Sequence, residues 1–228
     1  MNKKILSLLV SCVLLVGVLG ACSSKTGETP VPMGSEITPK NGGTINLACV
    51  SIDTMNPLVT KHASVSDFLS LIYEGLFVTN TNLTVEPVLA EDFTVSENNT
   101  VYTIKLKNNI TFHNGKKFTA EDVVSTLDYM ALYSVRWQNT MKYIAGYGAE
   151  NDYTVVIKLN SAKSDFAANL DFPILPSGLL GDDFLTPNQS FVPVGTGMYK
   201  YSDTVAYKNI VLKANENWQG STDRAYID

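Results

Sequence analysis

The sequence has few of the side chains on which enzymes and metal sites depend. It contains two histidines and three cysteines among 228 residues. His62 and His113 have no Cys, Asp or Glu partners at the spacing of metal ligands. The glycine-containing stretch around Thr196 lacks the lysine and the following helix of a phosphate-binding loop. We therefore expect no catalytic residues, metal ion or cofactor, and we interpret His113 as a turn residue that hydrogen-bonds to backbone.

The sequence also lacks the positive charge of a protein that binds nucleic acid. Its formal net charge is −5, with 17 basic and 22 acidic residues. An acidic body is repelled by nucleic acid and by anionic membrane surfaces, so we expect neither as the main partner. With 45% apolar residues, the chain has enough hydrophobic material for a globular core.

The N-terminus has the pattern of a lipoprotein export signal. Two lysines precede an apolar run at residues 5–18, which is shorter than the ~20 residues of a membrane-spanning helix. Two small residues then precede Cys22. We predict that residues 1–21 are removed and that Cys22 carries lipid, which anchors the protein to the extracytoplasmic face of a cell membrane. An uncleaved anchor that contains a buried cysteine is the alternative.

Residues 22–41 predict a flexible tether. They contain three prolines, several small polar residues and almost no large apolar side chains. Such a composition cannot offset the entropy cost of ordering, and ~19 flexible residues reach about 25 Å. We therefore place the boundary of the folded body at residue 42 and assign residues 42–228 to it.

The folded body reads as a mixture of strands and short helices, which is a mixed α/β (α+β) class. Residues 44–50 alternate in polarity and predict a half-buried strand with Cys49 on its apolar face. Hairpins are predicted at residues 76–87, 92–106 and 198–214, a single strand at 153–159, and helices at 65–73, from 119 onward, at 135–143 and at 163–170.

The helix that starts near Thr119 raises two specific expectations. Glu121 and Asp122 lie in its first turn, where carboxylates favour the positive end of the helix dipole, and we expect both to stay solvated. Tyr129, Tyr133 and Trp137 recur every four residues. Amphipathic packing into the core explains this spacing, and a ligand groove is the alternative.

Several short segments, in this order, resemble the bacterial extracellular solute-binding proteins of family 5, which are the peptide, dipeptide and nickel receptors of ABC importers. The resemblance rests on residues 42–46, 55–58, 71–77, 87–91, 101–106, 112–123, 194–199 and 215–218. Met198 stands where the family usually has proline.

The resemblance implies a type II periplasmic-binding-protein-like fold, and it implies that these residues form most of the first lobe of a two-lobed clamp. Family members of this kind are about twice as long, so we expect the second lobe and the return segment of the first to be missing. The implied function is a lipid-anchored, monomeric substrate-binding protein that captures oligopeptides or dipeptides and delivers them to an ABC permease. Nickel complexes, sugars and pheromones stay compatible ligands.

The resemblance also suggests where a ligand would bind. Relatives hold extended peptides largely through main-chain hydrogen bonds. The predicted ligand-binding residues of this chain are Ser51, Ile52, Asp53 and Thr54, after the first strand, and Gly195, Thr196 and Gly197, where missing Cβ atoms allow close approach. An ordinary loop is the alternative for the first group. For the whole chain, the alternatives are a fragment that binds nothing and a secreted hydrolase.

Overall fold

The computed structural model describes residues 42–49, 52–134, 136–179, 192–205, 209–218 and 227. The predicted signal segment, tether and lipidated Cys22 lie outside these residues, and so does Ser51. Among the residues described, no helix is long and apolar enough to cross a membrane.

The described elements confirm a mixed α/β class. In chain order they are α1 (Ala63–Leu69), β1 (Phe77–Thr79), β2 (Val85–Pro87), β3 (Ala90–Val95), β4 (Val101–Leu106), α2 (Ala120–Tyr133), α3 (Gln138–Met141), β5 (Ile144–Asn151), β6 (Thr154–Leu159), two 3-10 turns (Phe166–Asn169 and Ser177–Leu179), β7 (Tyr199–Val205) and β8 (Asn209–Ala214).

A four-stranded antiparallel sheet, in the order β3-β4-β6-β5, packs against α2. The predicted alternation along β4 and β6 is present, because one side chain in two is buried on the face toward α2. The apolar stripe of α2 that faces the sheet is buried and contains Val123, Leu127 and Met130. Ala131 lies at the edge of that stripe and is exposed. Two further antiparallel pairs, β1-β2 and β7-β8, confirm the other predicted hairpins.

A run of aromatic rings joins the small hairpin to the sheet. Phe77 of β1 packs edge-on against Phe93, which stacks on Tyr102, which in turn contacts Phe166. The Tyr102 hydroxyl donates to the Lys163 carbonyl and accepts from the Phe166 backbone N–H. Because this phenol has partners on both sides, a fully buried tyrosine is tolerated in the core.

The first predicted strand is wrong for residues 44–49. This segment has no regular structure, Ile45 and Leu47 are 58% and 62% exposed, and Cys49 is exposed rather than buried. An alternating sequence becomes a strand only when it pairs with a neighbour, and no described segment pairs with this one. The alternating pattern therefore shows only that the segment is compatible with a strand, and it does not show that a pairing strand is present.

Three helices are shorter than predicted, and one strand was missed. Where a helix is predicted at 135–143, α3 covers only Gln138–Met141 among the residues described. Helix α1 ends at Leu69, and the region from 163 to 170 contains only the 3-10 turn Phe166–Asn169. Strand β5 was missed because Gly146 and Gly148 have low strand propensity, and it forms because it pairs along β6.

Asp122 is buried rather than solvated, which corrects the expectation for the start of α2. Its Oδ2 accepts from the backbone N–H of Thr119 at 2.8 Å. Its Oδ1 accepts from Lys116 Nζ at 2.9 Å and from the Ser177 backbone N–H at 2.8 Å. Lys116 also donates to Ser177 Oγ. One carboxylate thus joins the preceding turn, the start of α2 and the segment at Ser177.

Replacing Asp122 with alanine should lower the free energy of unfolding by about 3 kcal/mol, because it leaves buried N–H groups without an acceptor. Glu121 is the matched control, since it lies in the same helical turn and is exposed. Glu121→Ala should change stability by no more than about 0.5 kcal/mol. Urea unfolding measures both, and equal losses in the two variants would contradict a central role for Asp122.

Candidate functional site

The loop before α1 is organised by the carboxylate of Asp53. Its Oδ1 accepts from the Thr54 backbone N–H at 3.0 Å and from Thr60 Oγ1 at 2.7 Å. Its Oδ2 accepts from the Lys61 backbone N–H at 2.8 Å. Partial burial opposes ionisation, but these hydrogen bonds outweigh it and lower the pKa of Asp53 below its ordinary value. The carboxylate of Asp53 therefore stabilises the conformation of its own loop.

The backbone of the same loop has unused hydrogen-bonding groups. Within the described part of the chain, no hydrogen bond satisfies the N–H or carbonyl of Ile52, or the carbonyls of Asp53 and Thr54. The Ile52 side chain is half-buried and packs against the core. The loop thus holds three consecutive residues in place, and within the described part of the chain these four main-chain groups are available to a partner.

Asn56 and Ser134 fix this loop to the end of α2. Asn56 is almost fully buried, and its Nδ2 donates to the Tyr129 hydroxyl at 3.2 Å while its Oδ1 accepts from the Leu58 backbone N–H. Ser134 Oγ donates to the Leu58 carbonyl at 2.8 Å. These contacts bind a loop to a helix far away in sequence, so the position of α2 sets the position of residues 52–60.

The aromatic stripe is divided between core and surface. Tyr129 is 6% exposed and Tyr133 43% exposed, with their rings 5.0 Å apart. Trp137 is half-buried and packs edge-on against Phe172. Arg136 lies over the Trp137 ring and donates to Ser66 Oγ. Core packing therefore accounts for Tyr129, while Tyr133 and Arg136 are exposed near the same end of α2.

The predicted glycine turn lies elsewhere and is packed against the chain itself. Gly195, Thr196 and Gly197 are buried. A Cβ added at Gly197 would lie 2.6 Å from the Leu71 carbonyl oxygen, and one at Gly195 would overlap the carbonyl of Ile72. The close approach that requires glycine here is thus to the chain's own backbone. Contact of this turn with a ligand stays a prediction.

His113 behaves as the sequence predicted, because its ring hydrogen-bonds to backbone. Nε2 lies 3.0 Å from the Gly197 carbonyl oxygen, and Nδ1 accepts from the Gly195 N–H at 3.3 Å. Burial lowers the pKa of His113 below its ordinary value, even though the bond to Gly197 favours the charged form. A half-buried imidazole with both ring nitrogens engaged is a poor general base.

No metal-binding cluster appears among the residues described. No group of three or more His, Cys, Asp or Glu side chains in that part is arranged to hold an ion. An open depression of about 420 Å³ lies along β5 and β6, and its lining consists of Gly146, Tyr147, Gly148, Ala149, Glu150, Val156 and Lys158. Neither predicted group of ligand residues lines it.

The fold defines a class, the type II periplasmic binding proteins. The structure is similar to the oligopeptide-binding protein AppA from Bacillus subtilis in complex with a nonapeptide, with a TM-score of 0.69, 26% identity, and coverage of 84% of this chain and 40% of that one. The structure of NikZ from Campylobacter jejuni in complex with Ni(L-His) has a TM-score of 0.64 and 26% identity, and the match covers 82% of this chain and 37% of NikZ. The structure of DppA from Helicobacter pylori in complex with the peptide STSA has a TM-score of 0.65 and 25% identity, and the match covers 78% of this chain and 40% of DppA.

Sequence comparison gives the family. Residues 84–228, more than half of the chain, match the model for the middle region of bacterial extracellular solute-binding proteins, family 5. The chain belongs to this family. It is 27% identical to AppA of Bacillus subtilis strain 168 over 100% of this chain and 43% of that protein. It is 29% identical to the glutathione-binding protein GsiB of Escherichia coli K12 over 84% and 35%. The chain thus spans less than half the length of these relatives.

Sequence reasoning missed three residues of the candidate site. Asn56 and Ser134 are ordinary polar residues in a turn-like segment and beyond a helix, and only the fold brings them to the same loop. Arg136 follows the aromatic spacing but carries no motif of its own. The one available signal was the segment 55–58, which contains Asn56 and contributes to the family resemblance.

Replacing Asp53 with asparagine should loosen the loop, because one of the two acceptor oxygens becomes an NH₂ group that cannot accept from Lys61 or Thr54. We expect faster hydrogen exchange in a peptide that covers residues 52–61. Asp67→Asn is the control, since Asp67 is exposed on α1 and its carboxylate makes no such bonds in the described part. Unchanged exchange in Asp53→Asn would contradict the organising role of this carboxylate.

Proposed function

We propose that this chain is the ligand-capturing part of a substrate-binding protein for an ABC importer, and that its ligand is an oligopeptide or dipeptide. The family assignment supports the general class. The observation that favours a peptide is the set of main-chain groups without a hydrogen-bond partner in the described part, namely the Ile52 N–H and the carbonyls of Ile52, Asp53 and Thr54. The protein binds and delivers its ligand without chemistry.

Unpaired backbone suits a peptide because an extended peptide carries matching donors and acceptors on its own main chain. Pairing of this kind gives affinity without reading side chains, as in other cases of strand addition. The rigid attachment of the loop through Asn56 and Leu58 keeps the entropy cost of binding small. Tyr133 and Arg136, exposed near the same helix end, are available to the ligand's side chains or termini.

The site on this chain forms one face of a clamp in the proposal. The chain covers 40% of the AppA structure that holds a nonapeptide. A second lobe supplies the opposite face, and hinge closure sequesters the ligand. Contact of the glycine turn at 195–197 with the ligand is also part of the proposal, although its glycines already pack against Leu71 and Ile72.

Cys22 supplies the membrane attachment in the proposal. Lipid on this residue and a tether over residues 22–41 hold a monomeric receptor on the extracytoplasmic face, next to its permease. A single lipid-modified cysteine with additional acyl chains gives stable anchoring, whereas one short chain gives only marginal binding.

A direct titration tests ligand capture. Isothermal titration of the chain with a mixture of di- to pentapeptides should give measurable heat. Ile52→Pro removes one main-chain donor and should weaken binding about tenfold, which corresponds to about 1.4 kcal/mol for one hydrogen bond. Ile52→Ala, which keeps the donor, is the matched control and should bind within about threefold of the unsubstituted chain.

The thermal melting temperature of each variant separates lost binding from lost folding. If the folded, unsubstituted chain gives no heat with any peptide, the chain binds nothing by itself and the peptide proposal fails for it. A peptidase or esterase rate that disappears in His113→Gln would instead favour a hydrolase.

Cys22→Ala should abolish lipid attachment. In a bacterial host, the unsubstituted protein should incorporate labelled palmitate and sediment with membranes, while the variant incorporates none. Cys49→Ala is the control, because Cys49 lies in the folded body and should not affect labelling. Labelling that survives in Cys22→Ala would overturn the predicted processing site.

A further inference from the structure

The imidazole of His113 makes an unusual set of contacts with one turn. Nε2 lies 3.0 Å from the Gly197 carbonyl oxygen, Nδ1 accepts from the Gly195 N–H at 3.3 Å, and the backbone N–H of His113 donates to the Gly195 carbonyl at 2.9 Å. Ring and backbone of one residue therefore hold both ends of the turn at residues 195–197.

These contacts select one protonation state. The Gly195 N–H can only donate, so Nδ1 must carry a lone pair. The Gly197 carbonyl can only accept, so Nε2 must carry the hydrogen. The neutral Nε2–H tautomer satisfies both groups. A proton added at Nδ1 would direct one N–H against another and leave the Gly195 N–H without its acceptor.

The turn held by His113 is also the attachment point of the following hairpin. Gly197 donates to the Ile72 carbonyl at 2.8 Å, and the Tyr199 N–H donates to the Leu71 carbonyl at 3.0 Å, where β7 begins. Asn215, just after β8, donates to the Gly197 carbonyl at 3.1 Å. Movement of this turn is therefore transmitted to both strands of the hairpin.

Charged and titratable groups around the turn act in the same direction or are already engaged. Lys200 on β7 disfavours the imidazolium by repulsion. On the turn that carries His113, Lys116 is paired with Asp122, and Lys117 is exposed. From the segment after α1, Glu74 accepts from Trp218 Nε1 at 2.9 Å, and burial raises the pKa of its carboxyl, partly offset by the bond from Trp218 and by the positive charge of Lys107. Tyr73, beside Gly195, is fully buried and neutral.

We propose that His113 is an acid-sensitive latch, which holds the β7–β8 hairpin to the body when neutral and releases it when protonated. The proposal does not depend on which ligand the protein binds. Histidine is suited to this role because its charge changes in a range that other side chains do not cover.

The direction of the pH dependence follows from the contacts of the His113 ring. Folding disfavours the imidazolium, so the pKa of His113 is lower in the folded chain than its ordinary value of 6.5. The stabilisation from the latch is then fully present above pH 6.5 and is lost as the pH falls through the lowered pKa.

Two measurements test the latch. Long-range ¹H–¹⁵N NMR should show His113 as the Nε2–H tautomer, titrating below pH 6.5, and His62→Gln assigns the signal because the sequence has only these two histidines. In a Trp137→Phe background, Trp218 is the one tryptophan left and reports on the hairpin by fluorescence. Hydrogen exchange of β7 and β8, corrected for intrinsic rates, should accelerate at least about tenfold over the same pH range.

Matched variants identify the group responsible. The acid transition should persist in His62→Gln and in Glu74→Gln, where the amide oxygen can still accept from Trp218, and it should disappear in His113→Gln. A transition that survives in His113→Gln, or one that disappears in Glu74→Gln, would overturn the proposal. So would an Nδ1–H tautomer, or a hairpin whose exchange stays constant while His113 takes up its proton.

Discussion

The buried carboxylate of Asp122 is the constraint on which the rest of the structure depends. It accepts from Lys116, Thr119 and Ser177, which belong to three separate segments. A buried charge of this kind is tolerated only when its hydrogen bonds are complete, so it fixes where α2 begins and what packs against its first turn. Helix α2 then brings Tyr129, and Ser134 directly after the helix, to the loop that holds the candidate ligand-binding backbone.

Local sequence patterns predicted the elements that are formed by residues close together in the sequence. The hairpins and the α2 stripe follow from alternation and from helical spacing, and both are present. The strand predicted at residues 44–49 is absent, and the unpredicted strand β5 is present. Both errors have the same cause, because a strand forms only when it pairs with another strand. The first has strand-like alternation and no partner in the described part, and the second has glycines and a long partner in β6.

The site shows the same division between local and distant information. Loop residues 52–54 were predicted from the family resemblance, but what holds their loop in place is the Asn56–Tyr129 and Leu58–Ser134 contacts across the fold. Asp122 was expected to be solvated because helix-start carboxylates usually are. Its burial depends on Ser177, 55 residues away, which no local pattern contains.

The glycine turn illustrates why a glycine motif does not by itself identify a binding site. Missing Cβ atoms allow a close approach, but a sequence cannot say what approaches. Here the neighbours are the carbonyls of Leu71 and Ile72 on one side and the His113 ring on the other. Close packing on both sides makes the turn sensitive to a change in the imidazole, since the space beside each glycine is too small even for a Cβ atom. The same glycines that suggested ligand contact therefore make the turn a mechanical link between a titratable side chain and the hairpin that follows it.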